Sequence, residues 1–435
     1  MDYTEAKSYI DSAVKFGSKL GLETITALCA RLGNPQDSLR FVHVAGTNGK
    51  GSTCTMISSI LTKAGYKTGL FLSPHMAEHR DSVLINGEMM SETAFAESMT
   101  DVKAAAEKLA AEGIDATEFE LLTACALFWF RRSGCDIVVL ETGLGGRLDA
   151  TNVVQTTLVS VITAIAMDHM QYLGDTIEQI AQEKCGIIKP GRVTVSYADQ
   201  PKAAMSMILS AAAERENVII IPDSGQLAFE DNELFGVTVD YRGIKARLRL
   251  PGRHQAGNAA MSIETAFALR ERYGFDIPDD AVSAGLEAAY LPARHELLCR
   301  KPLVLLDGAH NLQGIEALAD SVKRELSGRR LAVIMGMLRD KQYDECIGIM
   351  AHLADKLFAV KPDNARALEA EEVAAVAGAY GCETQSYRDM DEAVRDALAF
   401  CGADGALVIC GSLYMADKMR NAIFRQITFV KHSDT

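Results

Sequence analysis

The sequence predicts an α/β protein with a large, mainly parallel sheet flanked by helices and a smaller α/β unit after it. Three observations carry this. Short β-rich apolar runs alternate with amphipathic helical segments, which is the rhythm of βαβ units. A glycine-rich turn follows the first clear run, and a second alternation begins near "PLVLLDGAHN". At 435 residues the chain is also too long for one ordinary core, so two domains are expected.

In the first part "FVHVAG" reads as a strand, 50–64 as a helix, "TGLFLS" as a strand, and the segments near 92–111 and 118–132 as helices. "CDIVVLETG" and "TTLVSVITAI" are the next strands. A helix near 176–187, the strand "RVTVSY", a helix near 201–214 and the strand "NVIIIP" continue the rhythm. The alternating stretch "LFGVTVDYRGIKARLRL" predicts a hairpin, and 255–273 a long helix. In the second part "PLVLLDGAHN", "RRLAVIMGML", "KLFAVKP" and "GALVICGS" each precede helical sequence. The boundary is expected near "LPARHE", where a proline follows one helix and precedes the next strand, giving domains over 1–294 and 295–435.

Composition excludes several classes. With 48% hydrophobic and 23% charged residues, and no apolar stretch long enough to span a bilayer, the chain reads as a soluble cytoplasmic protein without membrane partners. Its ten cysteines show no CxxC pair and no Cys/His cluster at zinc spacing, so mostly reduced, buried thiols are expected. A formal charge of −14 argues against wide contact with a nucleic-acid backbone. An anionic ligand must then be held locally, by glycine loops, helix N-termini, single lysines or a divalent metal.

"HVAGTNGKGST" at 43–53 supplies such a place. Strand, glycine turn and helix start gather backbone N–H groups and the positive end of a helix dipole, about half a charge, where a phosphate can sit. Lys50 adds a full charge, and Ser52 or Thr53 offers a hydroxyl to the Mg²⁺ that accompanies a nucleotide. The common loop is GxxxxGK[ST]; here Val44 occupies the first glycine position and Gly51 separates Lys50 from Ser52. This makes the first domain P-loop-containing and the second, by its βα alternation, Rossmann-like. No NKxD-type guanine signature follows, so adenine nucleotide is the expected ligand. Ser73 ends "TGLFLS" and Glu141 ends "CDIVVLE". With Ser52 they offer hard oxygens near strand C-termini, where open α/β sheets bind ligands.

"GTNGKGS", preceded by "RLGNPQ" and "HVAG", resembles the folylpolyglutamate synthase and dihydrofolate synthase family of the Mur ligase superfamily. Further blocks match in the family's order: "SPH" at 73–75, "ING" at 85–87, "ETGLGGRLDATN" at 141–152, "DH" at 168–169, "EKCGIIKPG" at 183–191, "GRHQAGNA" at 252–259, "LDGAHN" at 306–311 and "GSLY" at 411–414. The resemblance implies an ATP-dependent ligase that couples L-glutamate to a pterin substrate, dihydropteroate or a (tetrahydro)folate polyglutamate, through an acyl phosphate. Both steps gather negative charge between nucleotide and substrate, which metal ions and fixed dipoles stabilise.

By the same resemblance Thr47, Asn48, Gly49, Lys50, Gly51 and Ser52 bind ATP, with Asn258, Arg294, Asp307 and His310 as further nucleotide contacts. Ser52, Ser73, Glu141, His169 and Lys184 form the metal set, with two Mg²⁺ sites expected and room for a monovalent cation. Lys184 matches a lysine that in relatives becomes a carbamate, which requires an amine of lowered basicity; its neighbour Lys189 reads as solvated. Lys50, Lys184 and His310 are the expected catalytic residues. Phe119 in "TEFELLTACAL" would stack on the pterin ring and Asp149 in "GGRLDATN" would bind its 2-amino pyrimidine edge, although an aromatic at helical spacing also suits a core and an Asp there also suits an Asx turn.

The sequence departs from the family at two places. Ala293 stands before Arg294 where the family has PGR, and Asp81 and Ser82 stand where the family has an ER pair. A monomer with small-molecule partners only is expected. Two other readings stay open: a Mur-type ligase joining an amino acid to a different carboxylate, and a nucleotide-dependent binding protein without ligation.

Overall fold

The computed structural model describes residues 1–17, 19–231 and 236–433. The chain forms two compact units, one made of Met1–Glu230, Thr238–Arg249 and His254–Tyr290, the other of Asp231–Val237, Leu250–Arg253 and Leu291–Thr435.

The first unit is built on eight strands: β1 (Phe41–Ala45), β2 (Thr68–Phe71), β3 (Val83–Ile85), β4 (Glu88–Met89), β5 (Ile137–Glu141), β6 (Thr157–Ile162), β7 (Val193–Ser196) and β8 (Val218–Ile220). Their order is β4-β3-β2-β5-β1-β6-β7-β8. From β2 to β8 all neighbours are parallel, while β3 and β4 add an antiparallel edge. Strands β1, β5 and β6 are buried at every residue, as strands covered by helices on both faces must be. β1 lies where the chain's strand order reverses direction, so the ends of β1, β5 and β6 open on the crevice in which such sheets bind ligands.

Two helices share that crevice. Lys50–Lys63 leaves the turn after β1 and is buried almost throughout, and His254–Tyr273 packs beside it with Gln255 and Asn258 buried in its first turns. On one side of the sheet Phe41, Phe71, Phe95 and Phe130 are fully buried with the helices Tyr3–Ser12, Glu92–Ala111 and Glu118–Arg132. Each such ring contributes about 2–3 kcal/mol of burial. The segments Ile177–Cys185 and Lys202–Glu214 pack with Ile162, Ile165 and Ile187 in a second cluster.

A three-stranded sheet follows, in the order β11-β10-β9, from β9 (Ala228–Asp231), β10 (Val237–Tyr241) and β11 (Ile244–Leu248). Arg242 and Gly243 link β10 and β11 with φ of +49° and +84°, the geometry of a two-residue hairpin turn. The hairpin expected from sequence is thus present, although its first residues, 234 and 235, lie outside the described residues.

In the second unit β12 (Glu296–Arg300), β13 (Leu303–Leu306), β14 (Leu331–Met335), β15 (Lys356–Ala359), β16 (Glu383–Ser386) and β17 (Ala406–Cys410) form a sheet in the order β12-β13-β17-β14-β15-β16. Only the β12–β13 pair is antiparallel. The ten cysteines are free thiols, and only Cys299 and Cys382 are other than buried. No helix among the described residues is long and apolar enough to cross a membrane.

Candidate functional site

The loop between β1 and its helix is held by the segment that follows β6. The Thr47 and Asn48 amides donate to the Ala164 carbonyl at 2.9 and 3.1 Å. The Thr47 hydroxyl donates to the Ala166 carbonyl at 3.0 Å and accepts from the Ala166 amide at 3.1 Å. Gly46 has φ +155°, and a Cβ there would meet the Thr163 hydroxyl at 1.8 Å. Gly49 caps the helix at φ +85°, and its Cβ would lie 2.6 Å from Asn258 Oδ1. Both positions therefore need glycine. Lys50 Nζ donates to the Thr47 carbonyl at 3.2 Å, so the ammonium folds back over the turn.

Glu141 is 4% exposed at the end of β5, level with Val44 of β1. One of its carboxylate oxygens accepts from the Ser73 amide at 3.1 Å, which places the residue ending the β2 segment beside it. Ser52 is buried, and its hydroxyl accepts from Gln255 Nε2 at 3.3 Å. Gln255 Oε1 in turn accepts from Asn258 Nδ2 at 2.9 Å. Gln255 was not among the residues expected from sequence, although it stands in the quoted block "GRHQAGNA"; a glutamine just inside a helix gave no signal of its own.

Lys184, in the last turn of Ile177–Cys185, is 4% exposed, and its Nζ donates to the Gly46 carbonyl at 2.7 Å. A lysine brought to the phosphate loop from a helix distant in sequence is not a solvated one. Lys189 differs from the expectation. It is buried rather than solvated, donates to Asn152 Oδ1 at 2.9 Å, and burial with Arg215 nearby lowers its amine to about 8. The reason is tertiary: Ile187 and Ile188 are buried after the helix, and Lys189 enters with them to meet Asn152 of a distant segment. His169 begins the short helix Met170–Leu173 with φ +51°, and its amide donates to Asp168 Oδ1 at 2.8 Å.

Phe119 is part-buried against the apolar cluster, its ring 5.9 Å from that of Phe71. Asp149 is 3% exposed, and its oxygens accept from the Leu144 amide at 2.8 Å and the Thr151 amide at 3.0 Å. The carboxylate thus serves its own loop, as in an Asx turn, and burial raises its pKa despite those donors. Behind it, buried His43 of β1 meets the Thr151 hydroxyl at 2.9 Å. Burial, with Lys189 nearby, lowers the His43 imidazole to about 3, so it is neutral at ordinary pH. In the loop after β2 the Asp81 carboxylate accepts from the Ala77 and Glu78 amides at 2.8 and 3.0 Å, and Arg80 donates to the Met90 carbonyl at 2.8 Å. Of the two residues that replace the ER pair, Asp81 is thus occupied by its own loop, while the Ser82 hydroxyl is buried without a hydrogen-bond partner among the described residues.

In the second unit Asp307 follows β13, and its carboxylate accepts from the His295 and Ala309 amides, both at 2.7 Å. His310 Nδ1 donates to the Gly308 carbonyl at 2.8 Å, which makes Nε2 the acceptor nitrogen of the neutral ring. The Arg294 guanidinium lies next to Gly308. Ala293 and His295 have φ of +54° and +51°. Ala293 therefore holds a left-handed conformation that glycine would take without the cost of about 1–2 kcal/mol.

A phosphate-type loop at the reversal point of a parallel sheet, a buried carboxylate at the neighbouring strand end and a second α/β unit define a nucleotide-dependent enzyme of the Mur ligase type. The Mur ligase middle domain matches residues 44–266, and the Mur ligase glutamate ligase domain matches residues 293–413. The chain belongs to the Mur ligase family. It is 37% identical to the dihydrofolate synthase/folylpolyglutamate synthase of Bacillus subtilis, with 97% of this chain and 99% of the relative aligned. Among solved structures, Mycobacterium tuberculosis folylpolyglutamate synthase complexed with ADP and AMPPCP superposes with a TM-score of 0.87 at 29% identity, covering 97% of this chain and 98% of that one. Escherichia coli FolC in complex with DHPP and ADP does so with a TM-score of 0.84 at 28% identity, covering 99% of both.

Proposed function

We propose that the chain is an ATP-dependent acid–amino-acid ligase that adds L-glutamate to dihydropteroate, to (tetrahydro)folate polyglutamates, or to both. The observation that carries this is the convergence on the turn after β1: Lys184 Nζ on the Gly46 carbonyl, and the Glu141–Ser73 pair one strand away. A protein that only binds nucleotide needs the loop and not these groups. The names of the relatives, which are synthases of dihydrofolate and of folylpolyglutamate over nearly the whole chain, point the same way.

In this reading the turn amides and Lys50 bind the ATP phosphates. Magnesium fits the residues present, because a buried carboxylate with hard hydroxyl oxygens is the donor set that ion prefers. Ser52, Ser73 and Glu141 would hold one ion, and His169 with Lys184 as its carbamate would serve a second, with a monovalent cation admissible beside them. When bound, the ion neutralises charge on the transferring phosphoryl group. Binding the acceptor beside the loop aligns one of its carboxylate oxygens with the γ-phosphorus. A new O–P bond forms there as the bond to the β–γ bridging oxygen breaks and ADP leaves. The glutamate amine, having lost its proton, attacks the acyl carbon. The C–O bond to phosphate then breaks, releasing inorganic phosphate and the amide. Asp307, His310, Arg294 and Asn258 are assigned to the nucleotide, and Phe119 to the pterin ring.

The acyl phosphate has a direct test. An acceptor carboxylate labelled with oxygen-18 passes one labelled oxygen to the released phosphate if the acid is activated by phosphorylation. Unlabelled phosphate alongside amide product would rule that activation out.

A further inference from the structure

The loop between β2 and β3 carries two histidines that no step above uses. The His75 and His79 rings lie with centroids 4.5 Å apart. His79 is buried, and its Nε2 is 3.1 Å from Glu118 Oε1 and 3.6 Å from Asp11 Oδ1. One donor atom each from His75, His79 and Glu118 lies within 4.8 Å of the others, and this is the one such His/Cys/Asp/Glu group among the described residues.

The framework around these donors is fixed from three sides. Glu118 opens the helix Glu118–Arg132, whose start is set by a reciprocal cap between Thr117 and Glu120. The loop is pinned by the Asp81 carboxylate and by Arg80 on the Met90 carbonyl. The His79 ring stacks on Phe95 at 6.5 Å. Two imidazoles and a carboxylate are borderline donors, which suit Zn²⁺ or Co²⁺ rather than Mg²⁺. Ligand atoms on a tetrahedral ion of that kind sit roughly 3.3–3.6 Å apart, so side-chain rotations that close the present spacing by about 1 Å complete the set.

We propose that His75, His79 and Glu118, with Asp11 at their edge, form a site for a borderline divalent cation of the Zn²⁺ class, distinct from the oxygen ligands Ser52, Ser73 and Glu141. The ion takes the place of the hydrogen bond between His79 and Glu118. It ties the loop after Ser73 to the helix that carries Phe119. The proposal does not depend on the ligase reading, since it stands on this cluster alone.

The test uses the full chain, stripped by chelation and titrated with Co²⁺ in excess Mg²⁺. One equivalent of Co²⁺ with the visible absorption of a low-coordinate ion, displaced by Zn²⁺, is the expected result. His79→Gln and Glu118→Gln should each weaken that binding by about 10- to 100-fold, while Glu141→Gln should keep it. Circular dichroism and melting in chelator establish that each variant is folded. X-ray absorption at the zinc edge of the wild-type protein adds a readout free of variants, and should show two imidazoles in the shell. Absence of Co²⁺ binding, undiminished binding in both folded cluster variants, loss in Glu141→Gln, or an all-oxygen shell at the zinc edge would each overturn the proposal.

Discussion

Lys184 Nζ lies 2.7 Å from the carbonyl oxygen of Gly46, so the lysine of the helix Ile177–Cys185 and the first glycine of the phosphate loop share one buried hydrogen bond. That contact places an amine at the turn where phosphates are expected. It gives the proposed carbamate a location from which its oxygens could reach a metal or a phosphoryl group.

Lys184→Met keeps an unbranched side chain one atom shorter and removes both the amine and any carbamate. Its kcat should fall by roughly 10²- to 10³-fold, with the KM for ATP changed only a few-fold. Wild-type rates should rise when bicarbonate is returned to degassed buffer, and those of Lys184→Met should not respond. Steady-state kinetics with and without bicarbonate check both points.

Gly49→Ala tests the loop. The residue sits at φ +85°, and a Cβ would press on Asn258 Oδ1 at 2.6 Å. The turn must then move away from the helix His254–Tyr273 or Asn258 must yield. Nucleotide affinity should drop by at least about tenfold, with a stability loss of about 1–3 kcal/mol. Calorimetric titration with ADP and a denaturant melt measure the two effects.

Asp149→Ala should destabilise the protein by about 1–3 kcal/mol without any substrate present, because the part-buried Leu144 amide and the buried Thr151 amide lose their acceptor. Asp149→Asn, which keeps one acceptor oxygen, should recover part of this. Denaturant unfolding of the free protein distinguishes the loop role from a contact made only with the pterin.

The His43 imidazole is held near 3 in the folded chain by burial, against about 6.5 when unfolded. Between those values the unfolded state binds a proton that the folded state refuses, so stability is full above pH 6.5 and is lost as pH falls. The loss attributable to His43 is about 1.4 kcal/mol at pH 5.5 and grows by about 1.4 kcal/mol per unit below that. A His43→Gln variant should show a flatter stability profile from pH 7 to pH 5 in denaturant melts.

The strands of the sheet interiors were legible because strands buried on both faces must be continuous apolar runs, as in "CDIVVLETG" and "RRLAVIMGML". The edges were not. Glu383–Ser386 is the polar tetrapeptide "ETQS" at a sheet edge, and Glu296–Arg300 is a half-buried antiparallel strand, so neither has the run that marks an inner strand. The β3–β4 hairpin did have a signal in Asn86–Gly87, whose φ of +53° and +80° are those of a tight hairpin turn, but "ING" was read there only as a family block. Around the site, residue types and strand ends singled out Ser73 and Glu141, which the structure places side by side. Lys189, Gln255 and the His75–His79–Glu118 group owe their environments to contacts between distant segments, and local pattern carries no trace of those.

In the proposed reaction ATP activates a pterin-linked acid which glutamate then captures. The most direct measurement incubates the purified chain with ATP, Mg²⁺, bicarbonate, L-glutamate and either dihydropteroate or tetrahydrofolate, with mass detection of products. The expected product is an acceptor heavier by one glutamyl residue, with one ADP and one phosphate released per amide formed. ATP turnover that yields no glutamyl amide with either acceptor would contradict that reaction.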